Sequence, residues 1–77
     1  MSPTVTRQFE TYTRDIYGWA FRLVGRHHDA LDVVQDVFLK WSDQCARQCP
    51  DKPRGWLRRV TLNRAADIVR RRKHEAA

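Results

Sequence analysis

The chain has no alternating apolar–polar stretch of the kind a half-buried strand requires. It also lacks any apolar run near the ~20 residues that span a bilayer. Its start, Met1-Ser-Pro-Thr-Val-Thr6, has no charged-then-apolar secretion pattern, so a cytoplasmic location without membrane contact is expected. There is no glycine-rich phosphate loop, no nucleophile elbow and no His-Glu-x-x-His pairing. Asp32 and Asp36 are paired acids only on one exposed helix face, which is a poor setting for general acid–base work. Catalysis is not expected, and no cofactor is called for.

Cysteine is scarce too. Cys45 and Cys49 are the only two, one helical turn apart, too few for a secreted disulfide framework. A zinc site would need two more ligands, and His27-His28 is the only supply nearby in sequence. Two free thiols at a fraying helix end are the favoured reading, with a metal site or a redox switch as alternatives.

What is present is helical periodicity. The 77 residues are 42% hydrophobic, enough for one compact domain. A chain this short buries only about 60% of its unfolded surface, so its core must be economical. The expected fold is all-α, a compact bundle of three main helices. The first runs from about Thr6 to Val24, with a stripe of Phe9, Tyr12, Ile16, Trp19, Ala20 and Leu23. Gly18 lies inside it at a cost of up to about 1 kcal/mol against Ala, for which close helix contact is the expected reason, and Gly25 is placed to end it. Arg26-His27-His28 reads as the turn. Asp29 is then a candidate N-cap for a second helix that ends near Cys45 or Ala46. Two prolines bracket the loop from Arg47 to Pro53. Asp51 is a candidate cap for the third helix, which runs from about Pro53 to Lys73.

The second helix has two surfaces. Ala30, Val34, Val37, Phe38 and Trp41 form an apolar stripe for the core. Asp32, Gln35 and Asp36 share a patch on the other side. Folding does not need that patch, so a partner surface is a candidate explanation.

Charge divides the chain. Residues 1–50 hold six basic and six acidic groups, while residues 51–77 hold nine and three. The whole net charge of +6 therefore lies in the last third, which points to an anionic partner, nucleic acid first. On the third helix, Leu57, Val60, Thr61, Ala65, Ile68 and Val69 read as the buried side. Arg59, Asn63, Asp67, Arg70 and His74 form a polar stripe opposite. Asn63 has the paired donor and acceptor that can read a base edge. Asp67 can orient Arg70 or Arg71 from one turn away. Lys52 and Arg71 add phosphate-binding charge at either end. Trp56 has two readings: an indole covering the helix junction, which is favoured, or a platform for an unpaired base. A solvated basic face with an internal ion pair is the plainer account of the whole stripe.

These elements in this order resemble region 2 of bacterial sigma factors, of the extracytoplasmic-function (ECF) group in the sigma-70 superfamily. The resemblance rests on Asp29-Ala-x-Asp-Val-Val-Gln-Asp-Val-Phe-Leu-Lys40, then a short loop, then Trp56-Leu-x-Arg-Val with Asn63, Asp67 and Arg70-Arg-Arg72. Phe9-x-x-Tyr12 and Arg22-Leu-Val-Gly25 fit as well, so it covers roughly residues 8 to 73.

The resemblance implies a transcription-initiation role. Asp32, Gln35 and Asp36 fall on positions that bind the coiled coil of the β′ subunit of core RNA polymerase. Asn63 falls on a position that contacts the promoter minus-10 element, engaged as its non-template strand opens. Arg59 and Arg70 join it by geometry, with Arg71, Lys52 and Trp56 alongside, and the loop before the third helix is the expected base reader. The domain is expected to act as a monomer, with an anti-sigma protein as a further possible partner. The alternative is a sigma-like interaction module that binds polymerase or an anti-sigma protein without opening DNA. A generic basic helical DNA-binding domain is the third reading. Leu31 stands where the family usually carries an acid. Residues 1–77 read as a single such domain, and the family's second DNA-binding domain, region 4, is absent from them.

Overall fold

The computed structural model describes the backbone of residues 3–76 and the side-chain surroundings of residues 6–75. Three helices form: α1 (Pro3–Val24), α2 (His27–Arg47) and α3 (Pro53–Ala76). Each packs against the other two, in a bundle of 43 × 21 × 20 Å. No strand occurs among the described residues, so the all-α expectation holds.

The helix ends follow local chemistry, with some shifts from expectation. Gly25 ends α1 in the left-handed region, φ 67°, and its N–H donates to the Phe21 carbonyl at 2.8 Å. That is the αL stop glycine makes at little cost. The turn is only Gly25 and Arg26. α2 then starts two residues before Asp29, with extended Arg26 at its N-cap and no side-chain cap. Asp29 is therefore not a cap; it lies in the first turn, where its charge still suits the helix dipole. The cap position of α3 falls on Lys52, whose carbonyl accepts from Trp56 N–H at 3.2 Å, rather than on Asp51. Pro53 follows at the first helical position, where its missing N–H costs nothing.

The core is a set of four-residue steps. Ile16, Ala20 and Val24 come from α1, Val33, Val37 and Trp41 from α2, and Leu57, Thr61 and Ala65 from α3. Phe9 and Ala30 extend it. The Thr61 hydroxyl donates to the Leu57 carbonyl at 2.6 Å, so its burial leaves no unmet donor. The expected stripes hold at Phe9, Ile16, Ala20, Ala30, Val37 and Trp41 and differ at neighbouring positions. Val33 is buried while Val34 and Phe38 are half-buried at the margin, and Val24 is buried while Leu23 is 47% exposed. Trp41 is fully buried, but Trp19 is only half-buried.

Gly18 does not mark a close helix contact. A Cβ built on it would meet nothing within 4 Å. The cysteines also depart from expectation, since Cys45 and Cys49 are joined as a disulfide. Gln48 is extended after the last turn of α2, its N–H donates to the Gln44 carbonyl at 2.8 Å, and the Cα atoms of Cys45 and Cys49 lie 4.0 Å apart. Among the described residues, no His, Cys, Asp and Glu group could hold a metal ion. His27 instead shares a 2.7 Å hydrogen bond with the Tyr17 hydroxyl through Nδ1. Among the described residues, no helix is long and apolar enough to cross a membrane.

Candidate functional site

Apart from Arg54 and Arg70, which pair at the surface with Asp15 and Asp67, the cations from Lys52 to Lys73 separate into two populations. Arg64 and Arg72 turn inward and hold helices together. Arg64 Nε donates to Asp36 Oδ2 at 2.6 Å, with the two side chains 24% and 38% exposed. Arg72 Nη2 donates to the Val24 carbonyl at 2.9 Å and lies 3.1 Å from Asp29 Oδ2. This one guanidinium satisfies an orphan carbonyl at the end of α1 and pairs with the first turn of α2. Its Nε is buried without a hydrogen-bond partner.

Lys52, Arg58, Arg59, Arg71 and Lys73 form the other population. All are exposed, and none makes an ion pair among the described residues. Asn63 is exposed between Arg59 and Arg70 on the same face. Asp67 pairs with Arg70, so of its two candidate arginines it takes the one a turn of three residues away. Trp56 is half-buried, with its ring 5.7 Å from that of Trp41. Its packing against the core fits the junction-covering reading.

The acidic patch on α2 is also divided. Asp32 and Gln35 are exposed. Asp36 is held against α3 by Arg64, so it is a cross-helix partner as well as a member of the patch. Beside these polar residues lie apolar ones that the sequence pattern did not single out as a surface. Leu31 is 42% and Leu39 61% exposed, four residues either side of Gln35. Gln35 and Leu39 line a cavity of about 420 Å³ with Phe9, Val34 and Phe38. The Phe9 and Phe38 rings meet edge-on, 4.9 Å apart, at its wall. A four-residue spacing from Leu31 to Leu39 was the available signal for this stripe.

The Sigma-70 region 2 family matches residues 8–75, nearly the whole chain. The chain belongs to the Sigma-70 region 2 family. Among curated proteins it is similar to "ECF RNA polymerase sigma factor SigE" of Mycolicibacterium smegmatis. The two are 40% identical over 57 residues, which is 74% of this chain and 22% of that protein. It is also similar to "ECF RNA polymerase sigma factor SigJ" of Mycobacterium tuberculosis, 32% identical over 71 residues, 87% of this chain and 21% of that protein. These matches make it a region 2 domain of the ECF kind. The chain spans about a fifth of the length of the curated relatives it matches. No solved structure matches it.

Within the region 2 frame, the residues fall on two exposed faces. Asp32 and Gln35 stand on the outer side of α2, and Arg59, Asn63, Arg70 and Arg71 on the outer side of α3. Lys52 and Trp56 lie at the loop end of α3. The first face is acidic and apolar. The second is basic and carries one amide among guanidinium groups.

Proposed function

We propose that this domain docks on core RNA polymerase through the outer face of α2 and engages the promoter minus-10 element through α3. What supports this is the segregation of exposed charge. Five cations of the 52–73 stretch are solvent-facing and make no ion pair among the described residues, while the exposed face of α2 carries Asp32, Gln35, Leu31 and Leu39. A phosphate backbone is attracted to the first face and repelled by the carboxylate on the second. A protein partner can bury Leu31 and Leu39, which gain nothing from facing water.

In this reading Arg59, Arg71 and Lys52 neutralise phosphates and set the register of the strand. Asn63 donates and accepts at a base edge, and Asp67 aims the Arg70 guanidinium. Asp32 and Gln35 form the polar part of the polymerase contact. Asp36 contributes to that contact from a position fixed by Arg64. Unstacking a promoter base costs a few kcal/mol, and phosphate contacts along α3 offset part of it.

The test is transcription initiation by core polymerase, with this domain fused to a region 4 domain and offered a pool of promoters. Initiation that falls with Asn63→Ala and Arg59→Ala, while polymerase binding persists, is the expected result. Absence of initiation on every promoter contradicts the reading. A module that only binds polymerase or an anti-sigma protein predicts no effect of these two substitutions in any DNA assay. A generic DNA-binding domain predicts that Asp32→Lys with Gln35→Ala, both at exposed positions, leaves function intact.

A further inference from the structure

The cross-link between Cys45 and Cys49 has no part in the two faces described above. It joins no two helices, and neither cysteine belongs to the buried core. Cys45 lies in the last turn of α2, half-buried and packed against that core. Cys49 lies beyond the helix end and is exposed. The two sulfurs therefore differ in access, and a thiol arriving from solvent reaches Cys49 first.

We propose that this bond is a reversible exchange site for a low-molecular-weight thiol, with Cys49 as the sulfur attacked, and that it governs the freedom of the loop before α3. The attacking thiolate forms a new S–S bond to Cys49 as the bond to Cys45 breaks. The electron pair of the broken bond leaves on Cys45, which takes up the proton lost by the attacking thiol. A second small thiol then displaces Cys49 from the mixed disulfide, and Cys49 is protonated in turn. In sum, two small thiols are oxidised to one small disulfide, and the protein disulfide is reduced to two thiols. The small disulfide drives the same steps backward.

The position of the bond favours exchange over a permanent staple. Cross-linking residues four apart removes little chain entropy, because that gain grows with the length of the loop closed. Exposed disulfides are the labile ones, and a short separation keeps the two thiols at high effective concentration for re-closure. What the bond does hold is the path of the chain out of α2. Gln44 grips the extended Gln48 twice: its carbonyl accepts Gln48 N–H at 2.8 Å, and its Nε2 donates to the Gln48 carbonyl at 3.0 Å. The disulfide closes a ring over this turn, with the Arg47–Gln48 peptide bond inside it. The far end of the loop is held separately, by Trp56 N–H on the Lys52 carbonyl and by the Trp56 ring beside Trp41. Reduction thus frees the segment from Arg47 to Asp51 and leaves α2 and α3 packed. The site stands apart from the polymerase and promoter contacts proposed above and is tested without either.

The test exposes the 77-residue chain to excess reduced glutathione, then to oxidised glutathione, with thiols trapped by alkylation and counted by mass. The bond should open while helical circular dichroism persists, and it should close again. From oxidised glutathione, Cys45→Ser, which leaves Cys49, should form the mixed disulfide at least about tenfold faster than Cys49→Ser, which leaves Cys45. Trypsin should cut after Arg47 at least about tenfold faster in the chain carrying both Cys45→Ser and Cys49→Ser than in the oxidised parent, since cleavage follows local opening. That doubly substituted chain represents the reduced state without reagent. Its loss of helical circular dichroism would mark a structural staple and overturn the proposal. A bond that reduced glutathione leaves closed, thiols that oxidised glutathione leaves open, or equal thiolation of the two single variants would overturn it too. So would equal cleavage after Arg47.

Discussion

The outer faces of α2 and α3 differ less in how many charges they carry than in what those charges are already doing. On α2, Asp29 and Asp36 are turned to arginines of α3, and Asp32 is left at the surface. On α3, Arg64 and Arg72 are the other halves of those pairs, and Arg58, Arg59, Arg71 and Lys73 are left facing water. Neighbours in sequence thus have opposite roles: Arg71 is exposed, while Arg72 holds α1 and α2. A run of like charges is therefore not one functional unit. Its members divide between holding the bundle and meeting a partner according to the face of the helix.

The largest break in this comparison comes from beneath both faces. Val37→Asp places an unpaired carboxylate in a fully buried site and should cost about 4 kcal/mol or more, enough to unfold a small domain in urea titrations. Phe38→Asp, at the half-buried margin, should cost clearly less. Next comes the pair of adjacent arginines. Arg72→Ala should lower stability by about 2 kcal/mol, because it strands the Val24 carbonyl and Asp29. Arg71→Ala should change it by no more than about 0.5 kcal/mol. Equal thermal shifts for the two would remove the distinction between holding and exposed cations.

A double-mutant cycle of Asp36→Ala and Arg64→Ala sharpens the comparison on α2. The partly buried pair should show a coupling of roughly 1 kcal/mol, against a smaller one between Asp32 and Arg64, which line one cavity without a direct ion pair. Asp36→Ala is then mildly destabilising, not the neutral surface change that an outward carboxylate would give. The smallest effect concerns DNA alone. Arg59→Ala should weaken non-specific DNA binding across sequences and reduce the salt slope by about 1, as loss of one phosphate contact does.

Much of this fold is legible in the residues, because two amphipathic stretches and a basic third one with apolar residues at helical spacing, separated by Gly25 and by Pro50 and Pro53, admit few alternatives to a three-helix bundle. Stripe boundaries were less legible. Val33 and Val34 are identical in type, and only the approach of the other helices decides which is buried. Asp29 has the chemistry of an N-cap, but α2 begins at His27, and Asp29 meets Arg72 across the bundle. That contact spans 43 residues and leaves no local trace, as does Asp36 with Arg64. The disulfide depends on the backbone turning at Gln48, which a C-x3-C spacing alone does not specify. The exposed members of the candidate faces, Asp32, Gln35, Arg59, Asn63 and Arg71, were legible because amphipathic periodicity places polar residues outward.

The most direct test of the division between the two faces is the affinity of this domain for core RNA polymerase in two double variants. Asp32→Lys with Gln35→Ala should weaken it at least about tenfold, in line with the effect of reversing a charge at a protein interface. Arg59→Ala with Asn63→Ala should leave it unchanged. Equal losses in the two, or a loss only in the second, would contradict the assignment of polymerase to α2 and of DNA to α3.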